Sequence, residues 1–282
     1  MQMGINRIKY RPWSGERSSH LRRVYTISRK IFFQKLKSKG ILAILIIGMV
    51  LVHAFPIIFG ALMEHEELTA EMMVKNSDFW MAYLKNGLSV IFILLLVSVV
   101  CSDLIAQDLK DKSFVLYFSR PIKTLDYLTG KMGGALAVTS IFTLIPLVVF
   151  CLVMIGTQTG DDYSSSLNIL GKTIIAGILT TVFFVSYGIM ISSLTKKKTY
   201  AGVGIFMSFF VLTIIGDIFV NFNQNWGLAS PTTLLFYSYD RIYGFDLPSD
   251  INSTIFGVLL FCILFLPLFV AFVQVYRKEV GK

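Results

Sequence analysis

The chain holds three histidines, His20, His53 and His65, and three cysteines, Cys101, Cys151 and Cys262. Zinc sites need Cys or His ligands in close pairs, and neither set has that spacing. Each cysteine sits alone inside an apolar stretch, which makes it a packing residue. There is no G-x-x-x-x-G-K-[ST] phosphate loop, no H-E-x-x-H helix and no G-x-S-x-G elbow, so the sequence predicts no catalytic residue, no resident metal and no cofactor in this chain. Two ionisable side chains stand out because they fall within or at the margin of apolar stretches: His53 and Asp217. An acid at the centre of a membrane helix costs roughly 2.5–3.5 kcal/mol, so both are candidates for an intramembrane polar site. Each has a plainer reading as well. Asp217 precedes Asn221 by one helical turn, near an interface, and a neutral His53 could share a proton with a neighbouring helix.

Charge and apolar residues mix most densely between Asp103 and Lys131. The run from Ser113 through Phe118 is too apolar for a solvated linker and too short to span a bilayer, so it is expected to bury against the membrane surface or another protein. Phe114 and Tyr117 are its aromatic anchors, and Pro121 ends it, since the residue before a proline is disfavoured in helical geometry. Asp108 and Arg120 could supply charge-assisted hydrogen bonds to a docked partner. The competing reading makes Asp108 and Lys112, one turn apart, an exposed helical pair worth about 0.3–0.5 kcal/mol.

The elements that must position these residues follow from hydropathy. With 55% hydrophobic and 15% charged residues and a mean hydropathy of +0.69, the chain is too apolar for an ordinary soluble domain. Its apolar blocks are about 20 residues long, the length of a helix crossing roughly 30 Å of hydrocarbon, whereas a β-barrel would show ~10-residue alternating segments. The expected fold is an all-α polytopic membrane protein with six spans at 41–63, 87–106, 133–156, 173–194, 201–220 and 255–276, preceded by a basic arm with an interfacial helix and followed by a short tail from 277. Pro56, Pro146 and Pro267 are expected to kink their spans. No cleaved signal peptide is expected.

Of 26 Lys and Arg, 22 fall in the N-terminal arm, the 103–132 loop, the Lys196–Lys198 turn and the tail, and only Lys75, Lys85, Lys172 and Arg241 lie in the other loops. The positive-inside rule then places both termini in the cytoplasm of a plasma-membrane protein. The net charge of +9 reflects this topology and contact with anionic lipids, and calls for no nucleic acid. Over 22–39, Val24, Tyr25, Ile27, Ile31, Phe32 and Leu36 share one helical face, with Arg22, Arg23, Arg29, Lys30 and Lys37 opposite. Phe33, Lys35 and Lys39 break the pattern. This helix is either a simple basic anchor or an elbow packed beside a partner. Between 221 and 254, Trp226, Phe236, Tyr237, Tyr239 and Tyr243 suit short helices at the headgroup level, and Asn252 opens a glycosylation sequon.

Asp108, then Ser113, an apolar stretch, Pro121 and finally Gly130-Lys131 fall at the spacings found after the second span of the type-2 ABC exporter permeases, and the chain resembles that family. Asp108 stands where glutamate is usual, and Lys112 where glycine is usual. Gly188-Ile-Met-Ile-Ser192-Ser193-Leu-Thr-Lys, closing the fourth span, is a second likeness. The resemblance implies a homodimer of six-span permeases over separate cytoplasmic ATPase subunits that bind ATP and Mg. It also implies that the residues from Asp108 to Lys131 couple the two. Two other classes compete: a membrane scaffold or maturation subunit without bulk transport, and an intramembrane enzyme. The latter would need facing nucleophiles or metal ligands at one depth.

Overall fold

The computed structural model describes residues 19–54, 77–114, 117, 122–156 and 163–280, and the backbone there is helices and turns. Helix α1 (His20–Leu36) starts at Ser19, whose hydroxyl accepts the Arg22 N–H at 3.4 Å. Two residues later α2 (Lys39–Gly48) begins, and the two helices meet at 77°. The elbow expected from the amphipathic pattern is therefore a true bend. α2 widens into a π-helical turn, Met49–Ala54. The arm before residue 19, the second half of the first expected span and Pro56 lie outside the described residues.

After α3 (Ser77–Leu84), Asn86 caps α4 (Gly87–Cys101) by accepting the Leu88 N–H at 2.9 Å, and α5 (Ala106–Lys110) follows a tight turn. Helix α6 (Thr124–Thr143) begins well ahead of the apolar run at Gly133. Hydropathy misses this segment because it contains Asp126 and Lys131, whose charges are matched by other elements. At Leu144 the helix breaks, and α7 (Ile145–Gly156) carries Pro146 in its first turn. Proline lacks an N–H and its ring crowds the preceding turn, which accounts for the break. By contrast, α12 (Ser253–Val280) runs through Pro267 as one continuous helix.

The 32-residue α8 (Tyr163–Leu194) is the central post, packing on α4, α6, α7, α9, α11 and α12 and burying Phe183, Phe184 and Ile189. Helix α9 (Lys198–Phe219) follows the Lys196–Lys198 turn. Among the described residues five helices are long and apolar enough to cross a membrane, or six if the bent pair of α1 and α2 is taken as one. In α9 and α12 only 17% of the spanning window is buried, against 61% in α4 and α8, so α9 and α12 form the outer faces, with Val211, Ile214, Phe261 and Phe269 exposed. The fold is that of an all-α polytopic membrane protein.

Between α9 and α12 lie α10 (Gln224–Gly227) and α11 (Pro231–Tyr243). Ser230 caps α11 and accepts the Thr233 N–H at 3.3 Å, Pro231 occupies the first turn, and Gly244 ends it at φ 96°. A Cβ on Gly216 would lie 2.3 Å from the Ser230 nitrogen, so only glycine lets α9 pass the start of α11. The segment turns inward more than its aromatics suggested. Tyr239 and Tyr243 are buried against α8, with hydroxyls 2.6 Å from Thr180 and 2.9 Å from Thr173, whereas Trp226 remains well exposed. Asn252 caps α12, its side chain accepting the Thr254 N–H at 2.8 Å.

Candidate coupling site

Three glycines of α6 form a seat for α1. A Cβ on Gly130 would meet Ile27 Cβ at 2.8 Å, one on Gly133 would meet Ser28 Oγ at 2.6 Å, and one on Gly134 would meet Ile31 Cβ at 2.7 Å. Small residues at such a crossing let backbones approach closely, and the Ser28 hydroxyl uses the proximity to donate to the Gly130 carbonyl at 2.9 Å. Ile27 and Ile31 supply the apolar contact, while Tyr25 and Phe33 stay exposed, with the Arg29 guanidinium 5.7 Å from the Phe33 ring. The elbow helix thus packs on its own chain, whatever else it meets.

Ion pairs lock this contact at both ends. His20 and Arg23 both reach the buried Asp126, Arg23 at 2.8 Å. At the other end Lys35 is buried against Asp103, which Lys198 approaches at 3.4 Å. Lys35 broke the amphipathic pattern because its partner lies on the turn after α4, more than 60 residues away in sequence.

Asp108 faces inward. Its carboxylate takes the Tyr127 hydroxyl at 2.6 Å and the Lys131 ammonium at 2.7 Å, and Lys131 also donates to the Leu104 carbonyl. Lys131 lies 5.1 Å from the Tyr127 ring centre. The buried Phe114 and half-buried Tyr117 pack against the same ring in tilted and edge-on arrangements, at 5.4 and 5.1 Å between ring centres. Burial, together with the Asp108 carboxylate, raises the Tyr117 phenol above its ordinary pKa. The apolar run thus begins by burying against α6. The Ser113 N–H closes the turn on the Asp108 carbonyl at 3.0 Å. Arg120 and Pro121 lie outside the described residues.

The exposed Asp108–Lys112 pair does not form, because Asp108 is bound to Lys131. Lys112 instead adopts φ 53°, the left-handed region that side chains with a Cβ disfavour. That explains why glycine suits the position. Lys112→Gly is expected to stabilise the chain by about 0.5–1 kcal/mol, strain relief partly offset by a freer unfolded state, and a thermal melt in nanodiscs measures it.

The second likeness also has a physical basis. The Ser192 hydroxyl oxygen accepts the Ile105 and Ala106 N–H groups at 3.1 and 3.2 Å, capping α5 from α8. Gly188, one turn earlier, leaves room for Val97 and Cys101: a Cβ there would lie 2.7 and 2.9 Å from them. Around these contacts a cavity of about 470 Å³ opens between α1, α5 and α6, with Lys30, Gln34, Gln107 and Tyr117 among its lining residues and the Lys35–Asp103 and Lys131–Asp108 pairs in its wall.

His53 and Asp217 are not brought together. His53 is buried, with Nδ1 2.5 Å from the Tyr83 hydroxyl, whereas Asp217 is exposed near the end of α9. Among the described residues no group of three or more His, Cys, Asp and Glu is placed to hold a metal.

No curated protein matches the chain. Residues 25–278, from the second turn of α1 almost to the end of α12, match the family described as ABC-2 family transporter protein. The matched stretch includes the glycine seat, the Asp108–Lys131 pair and the Ser192 cap, and the chain belongs to the ABC-2 transporter family.

Proposed function

We propose that this chain is the permease subunit of an ATP-driven exporter, working as a homodimer above cytoplasmic ATPase subunits that bind ATP and Mg. The observation that carries the reading is the joint made by α1, α5 and α6. A moving partner can drive a membrane helix only through a packed element with few soft torsions, and here glycine contacts, ion pairs and the Tyr127 cluster leave few. The ATPase docks in the cavity beside this joint, against Tyr117, Gln107 and Lys30, and Arg120 and Pro121 are proposed to share the coupling role. Asp108, Ser113, Phe114, Gly130 and Lys131 act one step back by holding that surface at a fixed angle. Asp217 lies on the lipid or partner side of α9, and its use by substrate belongs to this proposal.

Tyr117→Ala tests the docking surface. The variant is expected to stay in the membrane, retain less ATPase on affinity purification, and lose substrate-stimulated ATP hydrolysis in liposomes. Full retention with full coupling would place docking elsewhere. Hydrolysis that never responds to any candidate substrate would favour the scaffold reading over transport.

In the proposed orientation both termini and the Lys196–Lys198 turn face the cytoplasm, a reading supported by the 22-to-4 division of basic residues. Asn223 and Lys197 are both exposed at opposite ends of the bundle. Membrane-impermeant maleimide on intact cells is expected to label Asn223→Cys and spare Lys197→Cys in a chain lacking its native cysteines. The opposite pattern would invert the orientation.

A further inference from the structure

Two backbone irregularities and the inward-folded α11 converge on one small cavity. The π-helical turn Met49–Ala54 carries His53 into it, the break at Leu144 carries Thr143, and α11 carries Tyr239 back from the outer segment. Pro146 has no N–H to give, so the Phe142 carbonyl, one turn earlier, loses its helical donor at the same place. Non-helical backbone at membrane depth is tolerated where it is buried in protein or lines a hydrated cavity. This cavity measures about 20 Å³, above the ~10–15 Å³ that one water requires. Its polar lining is His53, Tyr83, Ser89, Thr143, Thr180 and Tyr239.

His53 is only 7% exposed. Nδ1 is engaged by the Tyr83 hydroxyl and the ring interacts with the Phe142 backbone carbonyl, yet among the described residues the buried Nε2 has no partner in hydrogen-bond geometry. The two histidine tautomers leave opposite needs: if Tyr83 donates to Nδ1, then Nε2–H needs an acceptor, and if Nδ1–H donates to Tyr83, then Nε2 needs a donor. A water meets either need. Its other contact is defined by the neighbouring hydroxyls. Thr180 gives its hydrogen to the Ala176 carbonyl at 2.7 Å, so at 2.6 Å Tyr239 must donate to Thr180, and the Tyr239 oxygen is left to accept. The titratable groups facing His53 are the phenols Tyr83 of α3 and Tyr239 of α11. Among the described residues the lining from α4, α6, α7 and α8 includes neither acid nor base, so no counter-charge faces the imidazole there and burial favours its neutral form.

We infer that this cavity is a binding site for a single water molecule, held between Nε2 of a neutral His53 and the Tyr239 hydroxyl, that joins the π-turn of the first span to the inward-folded α11. Along the contact of α8 with α11 the Thr173–Tyr243 and Thr180–Tyr239 pairs place hydroxyls at two successive levels, and the Lys172 ammonium donates to the Tyr243 carbonyl at 2.9 Å. This inference does not depend on the ATPase docking proposed above.

The test is solid-state NMR on the full chain, labelled with ¹⁵N-histidine and reconstituted in phosphatidylethanolamine and phosphatidylglycerol vesicles. The chain has only three histidines, so His53→Gln assigns the ring signal. The His53 ring is expected to keep its neutral pattern across about pH 5–8, the range in which an ordinary histidine changes charge, and to receive magnetisation from water. Tyr239→Phe, which keeps the ring and the cavity but removes the second contact, is expected to weaken that transfer about twofold or more. A visible His53 signal without transfer from water would show the cavity to be dry. A doubly protonated ring at neutral pH would show that it binds a proton or an anion. Unchanged transfer in Tyr239→Phe would move the water away from α11. Each of these outcomes overturns the proposal.

Discussion

Lys131→Met is expected to destabilise the chain by about 3–5 kcal/mol, because removing one member of a buried ion pair leaves the other charge uncompensated. Asp108 and Lys131 each keep less than a sixth of their side-chain surface, and the Tyr127 hydroxyl alone cannot neutralise the carboxylate. The effect has a diagnostic second half. Asp108→Asn combined with Lys131→Met removes both charges, and the double variant is expected to recover most of the loss, since a buried pair often contributes little net stability over neutral residues. Melting of the purified chain in nanodiscs, compared across both singles and the double, measures this. Additive losses would mean that the two residues act separately. Coupled transport provides a second readout. If the pair only positions Tyr117 and its neighbours, the stable double variant keeps the ATPase bound. If the charge itself meets the ATPase, binding is lost even though stability returns.

Ser192→Ala is expected to have the next largest effect. One hydroxyl serves two buried N–H groups and itself donates to the Ser102 carbonyl at 3.4 Å. Each buried donor left without an acceptor costs roughly 1–3 kcal/mol, and alanine strands two. The loss is local to the α4–α5 turn, so amide hydrogen exchange distinguishes it from general loosening. Exchange at Ile105 and Ala106 is expected to speed up far more than in the middle of α8. The neighbouring Ser193 caps nothing across the bundle, as its hydroxyl turns back to the Met190 carbonyl at 2.7 Å. Ser193→Ala is therefore the matched control, with little expected change.

The long apolar helices were legible in the sequence because burial in lipid demands uninterrupted hydrophobicity: α4, α9 and α12 overlap their apolar blocks, whereas α8 starts at Tyr163, ahead of the block at 173. The helical part of α6 around Asp126 and Lys131 was not legible. A charge counts against a span until its partner is known, and here the partners come from α1 and from α5. The same blindness made Lys35 look like noise in an amphipathic pattern. Residues from Asp108 to Lys131 were found by their spacing, but their direction was not. Asp108 and Phe114 face α6, which leaves Tyr117 on the open side. Phe114 stands out only through its apolar run, and in isolation a run that buries inside its own chain looks the same as one that docks on another. Ser192 showed only as a family likeness, because capping a helix on a different segment leaves no local signature.

The contacts of α1 also bear on how the chain is made. Arg23 and Asp126 are separated by 103 residues, and Ser28 and Gly130 by 102, so α1 leaves the ribosome long before the helix that seats it. At about 5–20 residues per second, α1 waits roughly 5–20 s before α6 emerges. During that interval Ile27 and Ile31 have no partner, and the bilayer surface is the one apolar shelter within reach for a helix that also carries Arg22, Arg29 and Lys30. The bend of 77° then has a use in biogenesis: it lets α2 enter the membrane while α1 rests on it, ready to slide onto the glycines of α6 once they arrive.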